Sequence, residues 1–523
     1  MHSFANAGRK HDGRLARFLC AATWLLFLCI MVPLALCALL MTAKTSISDN
    51  YLNLGFEIVR EAILPNAVLT AALMLGFVWI YRMMMKLSAG SMGVIVGLVW
   101  MAAAVCFVLA IGLVPRGDSY FVISAAESFA KGDFSPMQSE YFNSYSYQLG
   151  ICFVLEMLKR MLPCADLNLV AQCLNAVLTV GTFAALAALC GMLLRSAGAN
   201  LAAFLLCLAF LPDFLYCMFV YGTVPMLFLC ACAMLCFAGY TQTRKKRLAF
   251  LYAILLGCAM VVKPNALIVM LALLICAVLY AFETGDWTLA LFGLLSAVLC
   301  AALPNAVVRG YEWRSGVTLG EDITLLARLT MGMQDGETAA GWYNAYVERF
   351  WDFGVTVEME KEQALHDLML RLEEMRLDPK MARAFFAEKC LTQWIEPGYE
   401  ILWYGSICTA DGRFNGLAHL IFREGQPIRM LLEAYLNAFQ QMLYALIVLG
   451  AADMLRRRAF RAEQAMIPVT LIGGFLYHMI FEAKSQYGYI YVLLMIPLAA
   501  QGMTMLPGKG DRRGETINIS CND

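Results

Sequence analysis

Charge is what this chain has least of. Only 15% of its 523 residues are Asp, Glu, Lys or Arg, and 39 basic against 39 acidic side chains leave no net charge. A soluble domain is about a quarter charged, so a soluble fold is excluded, and with it the domain counts that length would suggest. Without a basic surplus there is no electrostatic footprint for nucleic acid. Histidine is scarce too: there are five, and no two share a helix turn. No metal-ligand spacing, P-loop, dinucleotide fingerprint or nucleophile elbow occurs. Zinc chemistry and nucleotide-driven transport are therefore not expected. Internal repeats and low-complexity tracts are also lacking.

Cysteine is plentiful, with 19 residues, but it does not form a disulfide framework. Most cysteines sit inside apolar runs, as Cys29, Cys106, Cys230 and Cys276 do, where they act as small hydrophobes. Cys390 and Cys408 share the one large polar segment and could pair, although nothing in their spacing demands it.

What fills the chain is apolar sequence: 61% hydrophobic residues, with a mean hydropathy of +0.67. A bilayer-crossing helix needs about 20 apolar residues. Such runs lie at 17–42, 62–84, 90–114, 167–194, 199–217, 224–240, 248–262, 265–281, 287–307, 431–453, 465–481 and 488–506. They predict an all-α multi-pass membrane protein with about twelve transmembrane helices. The pairs around Tyr221 and Lys263 are short and closely joined. A basic start (Arg9, Lys10, Arg14, Arg17) precedes an apolar run longer than the roughly 7–15 residues of a signal-peptide core. No small-x-small cleavage site stands out, so the first span is expected to be retained. Leu-Ala-Leu-Cys at 34–37 has the wrong residue, Leu36, for a lipoprotein site.

Lys and Arg in short loops set the orientation. One set of loops holds Arg82 with Lys86, Arg195, the Arg244–Arg247 run, Arg456–Arg458 and Arg512-Arg513. The opposite short loops hold only Lys44, Arg60, Lys263 and Lys484. Both termini are then cytoplasmic, and 115–166 and 308–430 face outward. This divides the chain into an N-terminus with two leading helices (1–89), a transmembrane core with its first outer loop 115–166 (90–307), and an extracytoplasmic module (308–430). C-terminal transmembrane helices (431–506) and a short polar cytoplasmic tail (507–523) follow.

The first outer loop carries two candidate interfacial helices. In 118–131, Val122, Ala125, Ala126 and Phe129 fall opposite Ser124, Glu127 and Lys131. In 147–162, Gln148, Cys152, Glu156 and Arg160 make a polar stripe on an otherwise apolar helix. The module is expected to be mainly helical. Leu365, Leu368, Met369, Leu372 and Met375 mark an amphipathic helix. Asp378-Pro379 reads as the cap and first residue of the next helix, and Pro397 ends it.

Few polar groups are placed for chemistry. Asp118 lies four residues beyond the third span, in Val-Pro-Arg-Gly-Asp-Ser-Tyr, where a carboxylate can take a proton from an arriving substrate. Asp133 shares its loop, and two such carboxylates can also hold a divalent ion. The bland account makes both helix caps, and for Asp133, in a Gly-Asp turn, it is the better one. Phe-Glu-Ala-Lys-Ser-Gln-Tyr at 481–487, with His478 one turn earlier, crowds ionisable groups at one membrane face. There they can grip a lipid phosphate, or merely form an interfacial belt with Lys484 snorkelling. Lys263, in Lys-Pro-Asn between two short spans, is costly amid so much apolar sequence and marks either a site or a tight turn. Tyr221 to Pro225 is a similar turn, and Asp213 lies near the same surface. Trp342-Tyr343-Asn344 and Trp394-Ile395-Glu396-Pro397 suit sugar stacking or, more blandly, a module core.

Taken together these segments resemble bacterial membrane glycosyltransferases of the GT-C fold, of the group of protein mannosyltransferases and the aminoarabinose transferase of lipid A. The residues carrying the resemblance are Asp118 with Ala-Ala-Glu-Ser-Phe-Ala-Lys-Gly-Asp at 125–133, Tyr-Ser-Tyr-Gln-Leu-Gly at 145–150, and Lys-Pro-Asn at 263–265. Gly-Trp-Tyr-Asn at 341–344 and Phe-Leu-Tyr-His to Phe-Glu-Ala-Lys-Ser-Gln-Tyr at 475–487 complete them. The resemblance lies in the order of these segments rather than in any one motif. It implies an inverting transfer of a sugar from a polyprenyl-phosphate donor to an extracytoplasmic acceptor, a cell-surface polymer, lipid or protein, at a bacterial plasma membrane. It also implies Asp118 as general base. Arg116, Lys263, His478 and Lys484 are then candidate phosphate contacts, with Glu482, Gln486 and Tyr487 shaping the donor site. Many members carry two adjacent acids where this chain has Asp118 alone, which puts a metal role in doubt. Two spans also precede the family's usual first span. A flippase for a lipid or lipid-linked sugar is the alternative. It requires charges along a path across the bilayer, whereas here they gather at one face. A non-catalytic scaffold would leave Asp118 and the 478–487 cluster unexplained.

Overall fold

Apolar runs with helical spacing give a helical molecule, and the computed structural model is almost entirely helix. It describes residues 2–47, 54–86, 89–351, 355–409, 416–458 and 460–506, so the expected tail at 507–523 lies outside the described residues. All twelve apolar runs are helical. Among the described residues eight helices are long and apolar enough to cross a bilayer: Gly13–Leu40, Ile63–Met85, Gly93–Ile111, Leu167–Leu194, Thr223–Thr243, Ala266–Thr284, Thr288–Ser315 and Pro427–Arg456. The pair Ser485–Leu494 and Ile496–Met505, bent by 52°, makes a ninth if taken as one span. Ala197–Ala209, Lys246–Val262 and Met466–Ile480 hold 13, 17 and 15 residues, short of the roughly 20 that a crossing needs.

The burial pattern is that of a bundle in lipid. Thr223–Thr243 and Pro427–Arg456 are buried along most of their length. Ile63–Met85 and Thr288–Ser315 lie at the rim and expose large apolar side chains such as Leu64, Trp79, Leu291 and Val298. Without a hydrophobic drive between helices in lipid, close backbone approach decides packing. It is close where Pro427–Arg456 meets Ile496–Met505. A Cβ on Gly450 would lie 2.0 Å from the Leu498 carbonyl oxygen, and one on Gly502 would lie 2.1 Å from that of Leu446.

One element departs from the all-α expectation. Met41–Ile47 and Leu54–Arg60 pair as an antiparallel hairpin, with Met41 opposite Arg60 and Lys44 opposite Glu57. The helix expected over 17–42 therefore ends at Leu40. The hairpin docks on the module: the Ala43 N–H donates to the Ile395 carbonyl at 3.2 Å, and the Phe56 and Trp342 rings lie 4.4 Å apart.

The two loop helices form at Asp118–Ala130 and Leu149–Met161. Their apolar faces separate as the spacing predicts, with Val122, Ala125, Ala126 and Phe129 buried. Gln148, Cys152 and Glu156 of the second helix's polar stripe point inward, while Arg160 stays exposed. Glu156 is buried and accepts from Arg160 at 2.8 Å, Arg314 at 2.9 Å and the Tyr311 hydroxyl at 2.5 Å. Phe153 and Met161 face outward instead.

Helix Thr288–Ser315 runs past residue 307 into the module, whose further α-helices are Leu325–Gly332, Val357–Leu377, Pro379–Trp394, Ile401–Cys408 and Gly416–Phe422. Asp378 caps Pro379–Trp394 by accepting from the Lys380 and Met381 N–H groups at 3.0 and 3.1 Å. Cys390 and Cys408 are both free thiols. Trp342 is core rather than a sugar platform: it is buried, and its indole N–H donates to Thr392 at 3.2 Å.

Candidate functional site

Five separated stretches of sequence wall one cavity of about 480 Å³. Tyr145, Tyr147 and Gln148 come from the first loop, Tyr221 and Lys263 from the two turns between short helices, and Arg328 and Tyr343 from the module. His478, Glu482 and Tyr487 close it from the C-terminal side. The turn at 481–484 reaches this wall because the module yields to it. A Cβ on Gly332 would lie 2.4 Å from the Phe481 carbonyl carbon, and the Ala483 N–H donates to the Gly341 carbonyl at 3.0 Å.

Lys263 is the deepest cation. It is 6% exposed, and its Nζ lies 3.0 Å from Thr223 Oγ1, 3.4 Å from the Tyr221 carbonyl and 4.3 Å from the Tyr221 ring centroid. Burial pushes its pKa down to about 7, with the Asp118 carboxylate the largest influence in the other direction. The Gln148 amide donates to the Tyr221 hydroxyl and so fixes that ring. Lys484 stands beside the cavity rather than on its wall, 3.4 Å from Glu482 Oε1 and 5.4 Å from the Tyr343 ring centroid. Burial pulls its pKa down, but Glu482, Glu400 and Asp118 outweigh this and hold it above the usual lysine value. Arg328 lies 5.1 Å from the Tyr147 centroid, and its Nε donates to the Ile323 carbonyl at 3.2 Å. Burial lowers its pKa, and Tyr147 and Asp322 raise it further than burial lowers it.

The remaining expected residues fall into place around these three. Asp118 opens its helix as an exposed first-turn residue outside the cavity wall. Its carboxylate nevertheless acts on both Lys263 and Lys484. Next to it, the Ser119 hydroxyl donates to the Val220 carbonyl at 2.8 Å, tying the helix start to the Tyr221 turn. The Tyr487 hydroxyl donates to Glu482 Oε2 at 3.0 Å.

His478 is buried, and both of its ring nitrogens are engaged. Nδ1 lies 2.6 Å from the Glu482 carbonyl and Nε2 lies 3.2 Å from the Tyr491 hydroxyl. The pattern fits a neutral ring donating through Nδ1 and accepting at Nε2. With its ring stacked 5.0 Å from Tyr487, it braces the wall. Gln486 contributes its backbone N–H, which donates to Glu400 Oε1 at 3.1 Å, rather than lining the cavity. Arg116 lies against Tyr404 and Cys408, away from the cavity wall. Asp133 closes a local turn, accepting from the Ser135 N–H at 2.9 Å, and that bond holds its carboxyl below the usual range. Among the described residues no three His, Cys, Asp or Glu side chains converge as a metal site would need.

Two acids, Glu396 of the Trp394–Pro397 segment and Glu400, which was not singled out, support the site from behind. Glu396 and Glu400 are buried and joined through Ser485, whose hydroxyl lies 2.8 Å from Glu396 Oε2 and 3.4 Å from Glu400 Oε1. Burial raises Glu400 to about 7. Tyr399 and Glu400 both adopt left-handed backbone, at φ 50° and 63°, a conformation held at some cost where surroundings demand it. It turns Glu400 towards the chain that follows Lys484. No family model matches this chain, and neither a curated protein nor a solved structure matches it.

Proposed function

We propose that the chain is a membrane glycosyltransferase that moves a sugar from a polyprenyl-phosphate donor to an extracytoplasmic acceptor. In this reading it lies in a bacterial plasma membrane with both termini cytoplasmic. Asp118 takes the proton of the acceptor hydroxyl, whose oxygen attacks the anomeric carbon from the face opposite the phosphate. The carbon–oxygen bond to the lipid phosphate breaks, its electron pair leaves with the phosphate, and the configuration inverts. The resemblance of the ordered segments to the GT-C group supports this reading.

The observation that carries it is the cavity itself. Two cations, Lys263 and Arg328, line it among tyrosine rings, Lys484 stands beside it near the Tyr343 ring, and the charge of Asp118 favours the ammonium form of both lysines. Cations aimed at a leaving phosphate are worth most where its charge develops. Tyrosine faces suit the apolar sides of a sugar ring.

The test is a transfer assay with purified full-length protein and defined polyprenyl-phosphate sugars, read as release of the lipid phosphate with and without acceptor extracts. Release from at least one donor that Asp118→Asn abolishes is expected. No release from any donor, together with protein-dependent movement of an intact lipid-linked sugar across proteoliposomes, would replace this reading with a flippase.

A further inference from the structure

The cavity that Lys263 shares with the module carries two chemically different groups on its wall. Lys263 is held by neutral partners, the Thr223 hydroxyl, the Tyr221 carbonyl and the Tyr221 ring. The charges acting on it are those of Asp118, Lys484, Glu400 and Glu482. From Lys263 the wall continues through Pro264 and Asn265 to Leu267. Leu267, Leu271 and Ile275 are exposed at i, i+4 and i+8 on Ala266–Thr284, a helix long and apolar enough to cross a bilayer. A lipid whose chain lies along that stripe brings its phosphate to Lys263.

The second group belongs to the module. Asp322, in the loop ahead of helix Leu325–Gly332, and Arg328, on the first turn of that helix, both stand on the cavity wall. They bracket one short piece of the first outer loop. The Ser146 N–H donates to Asp322 Oδ1 at 2.6 Å, and the Arg328 guanidinium lies 5.6 Å and 5.1 Å from the ring centroids of Tyr145 and Tyr147. The backbone repeats the tie, since the Ile323 N–H donates to the Ser144 carbonyl at 3.3 Å. Asp322 is half-buried, and the charge acting on it is that of Arg328.

The two side chains differ in what they have left to offer. Arg328 donates through Nε to the Ile323 carbonyl and is bonded to Tyr147. A carboxylate has about four acceptor sites. Ser146 occupies about two of those on Asp322, with its N–H and its hydroxyl. Asp322 can therefore accept from further donors in the cavity. Sugar hydroxyls are such donors. A second carboxylate brought to the same place has no proton to give and meets a like charge.

We propose that Asp322 binds the sugar of the lipid-linked donor by accepting from its hydroxyls, and that it excludes sugars bearing a carboxylate. The inference rests on the sugar-transfer reading and assigns the two parts of the donor, phosphate at Lys263 and sugar at Asp322. Asp322 is then a specificity residue, and the proton of the acceptor still goes to Asp118.

The test uses the full-length chain in phosphatidylcholine nanodiscs, titrated calorimetrically with farnesyl phosphate and with its glucosyl, mannosyl and glucuronyl diesters. Glucosyl and glucuronyl differ only at C6. At least one neutral diester is expected to bind at least about tenfold tighter than the glucuronyl diester, the worth of a charge-assisted hydrogen bond. Asp322→Asn keeps an oxygen for the Ser146 N–H but loses the charge. It is expected to weaken that neutral diester about tenfold more than it weakens farnesyl phosphate, and to narrow the gap to the glucuronyl diester. Binding of farnesyl phosphate by the variant reports an intact cavity. Equal or tighter binding of the glucuronyl diester by the unaltered chain, or full discrimination retained in Asp322→Asn, would overturn the proposal and leave sugar transfer standing. Binding of none of the four lipids by the unaltered chain would overturn the transfer reading and the proposal with it.

Discussion

Asp118 is exposed and its carboxylate acts on both Lys263 and Lys484. Asp118→Asn should therefore leave the fold intact and reduce turnover by about 10²–10⁴-fold, the usual worth of a general base; near-normal turnover would remove it from the mechanism. Lys263 gives a pH signature. Burial holds it at about 7 in the free protein, and the diester phosphate of a lipid-linked sugar would stabilise its ammonium. Binding then takes up a proton, so donor affinity should be greatest below about pH 7 and fall as the pH rises above it. Lys263→Met should abolish that dependence in a direct binding titration between about pH 6 and 8.5. Lys484 should act on the departing phosphate: Lys484→Gln lowers kcat more than it raises the apparent donor KM, and Lys484→Arg recovers part of the rate. Lys263, Glu482 and Lys484 were legible in the sequence because ionisable groups are conspicuous among apolar residues. Arg328 was not. In Leu-Leu-Ala-Arg-Leu-Thr-Met it reads as one surface cation on a short helix, and only the docking of the module turns it into the cavity.

At the scale of elements, periodicity gave helices and their faces but not the direction of each face. The Gln148, Cys152, Glu156 and Arg160 stripe was visible as a stripe. That Gln148, Cys152 and Glu156 turn inward depends on Tyr311 and Arg314, far along the chain. The hairpin was hidden for a different reason. Thr42 and Ala43 are both buried, so the first strand lacks the alternation that betrays a half-buried strand. Packing of the C-terminal helices supplies a prediction of its own. Gly450→Ala must push its helix away from the Leu498 backbone, and overpacking of this kind typically costs about 1–3 kcal/mol. Thermal unfolding in detergent should show a clear loss for Gly450→Ala and none comparable for Gly310→Ala, where nothing lies within 4 Å of a new Cβ.

For the whole molecule, composition alone identified a multi-pass membrane protein, and the helices bear that out. The number of crossings is less legible, because apolar content does not separate a full span from the 13- to 17-residue helices at 197–209, 246–262 and 466–480. The orientation argued from loop charges makes a direct prediction. Glu140→Cys and Glu337→Cys, both at exposed positions, should react with an impermeant thiol reagent in intact cells lacking other reactive cysteines. Protection of either would invert the orientation and move the Lys263 cavity to the cytoplasmic side.

Set at the membrane interface, the helix Leu149–Met161 would act as a float. Its apolar side chains Phe153 and Met161 face outward, while the polar stripe is moored inside through Glu156, and Gln148 at its leading end grips the Tyr221 ring against Lys263. Its immersion depth would then be geared to the ring that roofs the buried lysine. Bilayers too thin or too thick for the bundle should lift or sink it and disturb that contact. Activity is then expected to peak at one acyl-chain length in a nanodisc series, and mooring-deficient Arg314→Met should flatten the peak. A flat profile for the unaltered protein would mean that the float and the cavity are not geared together.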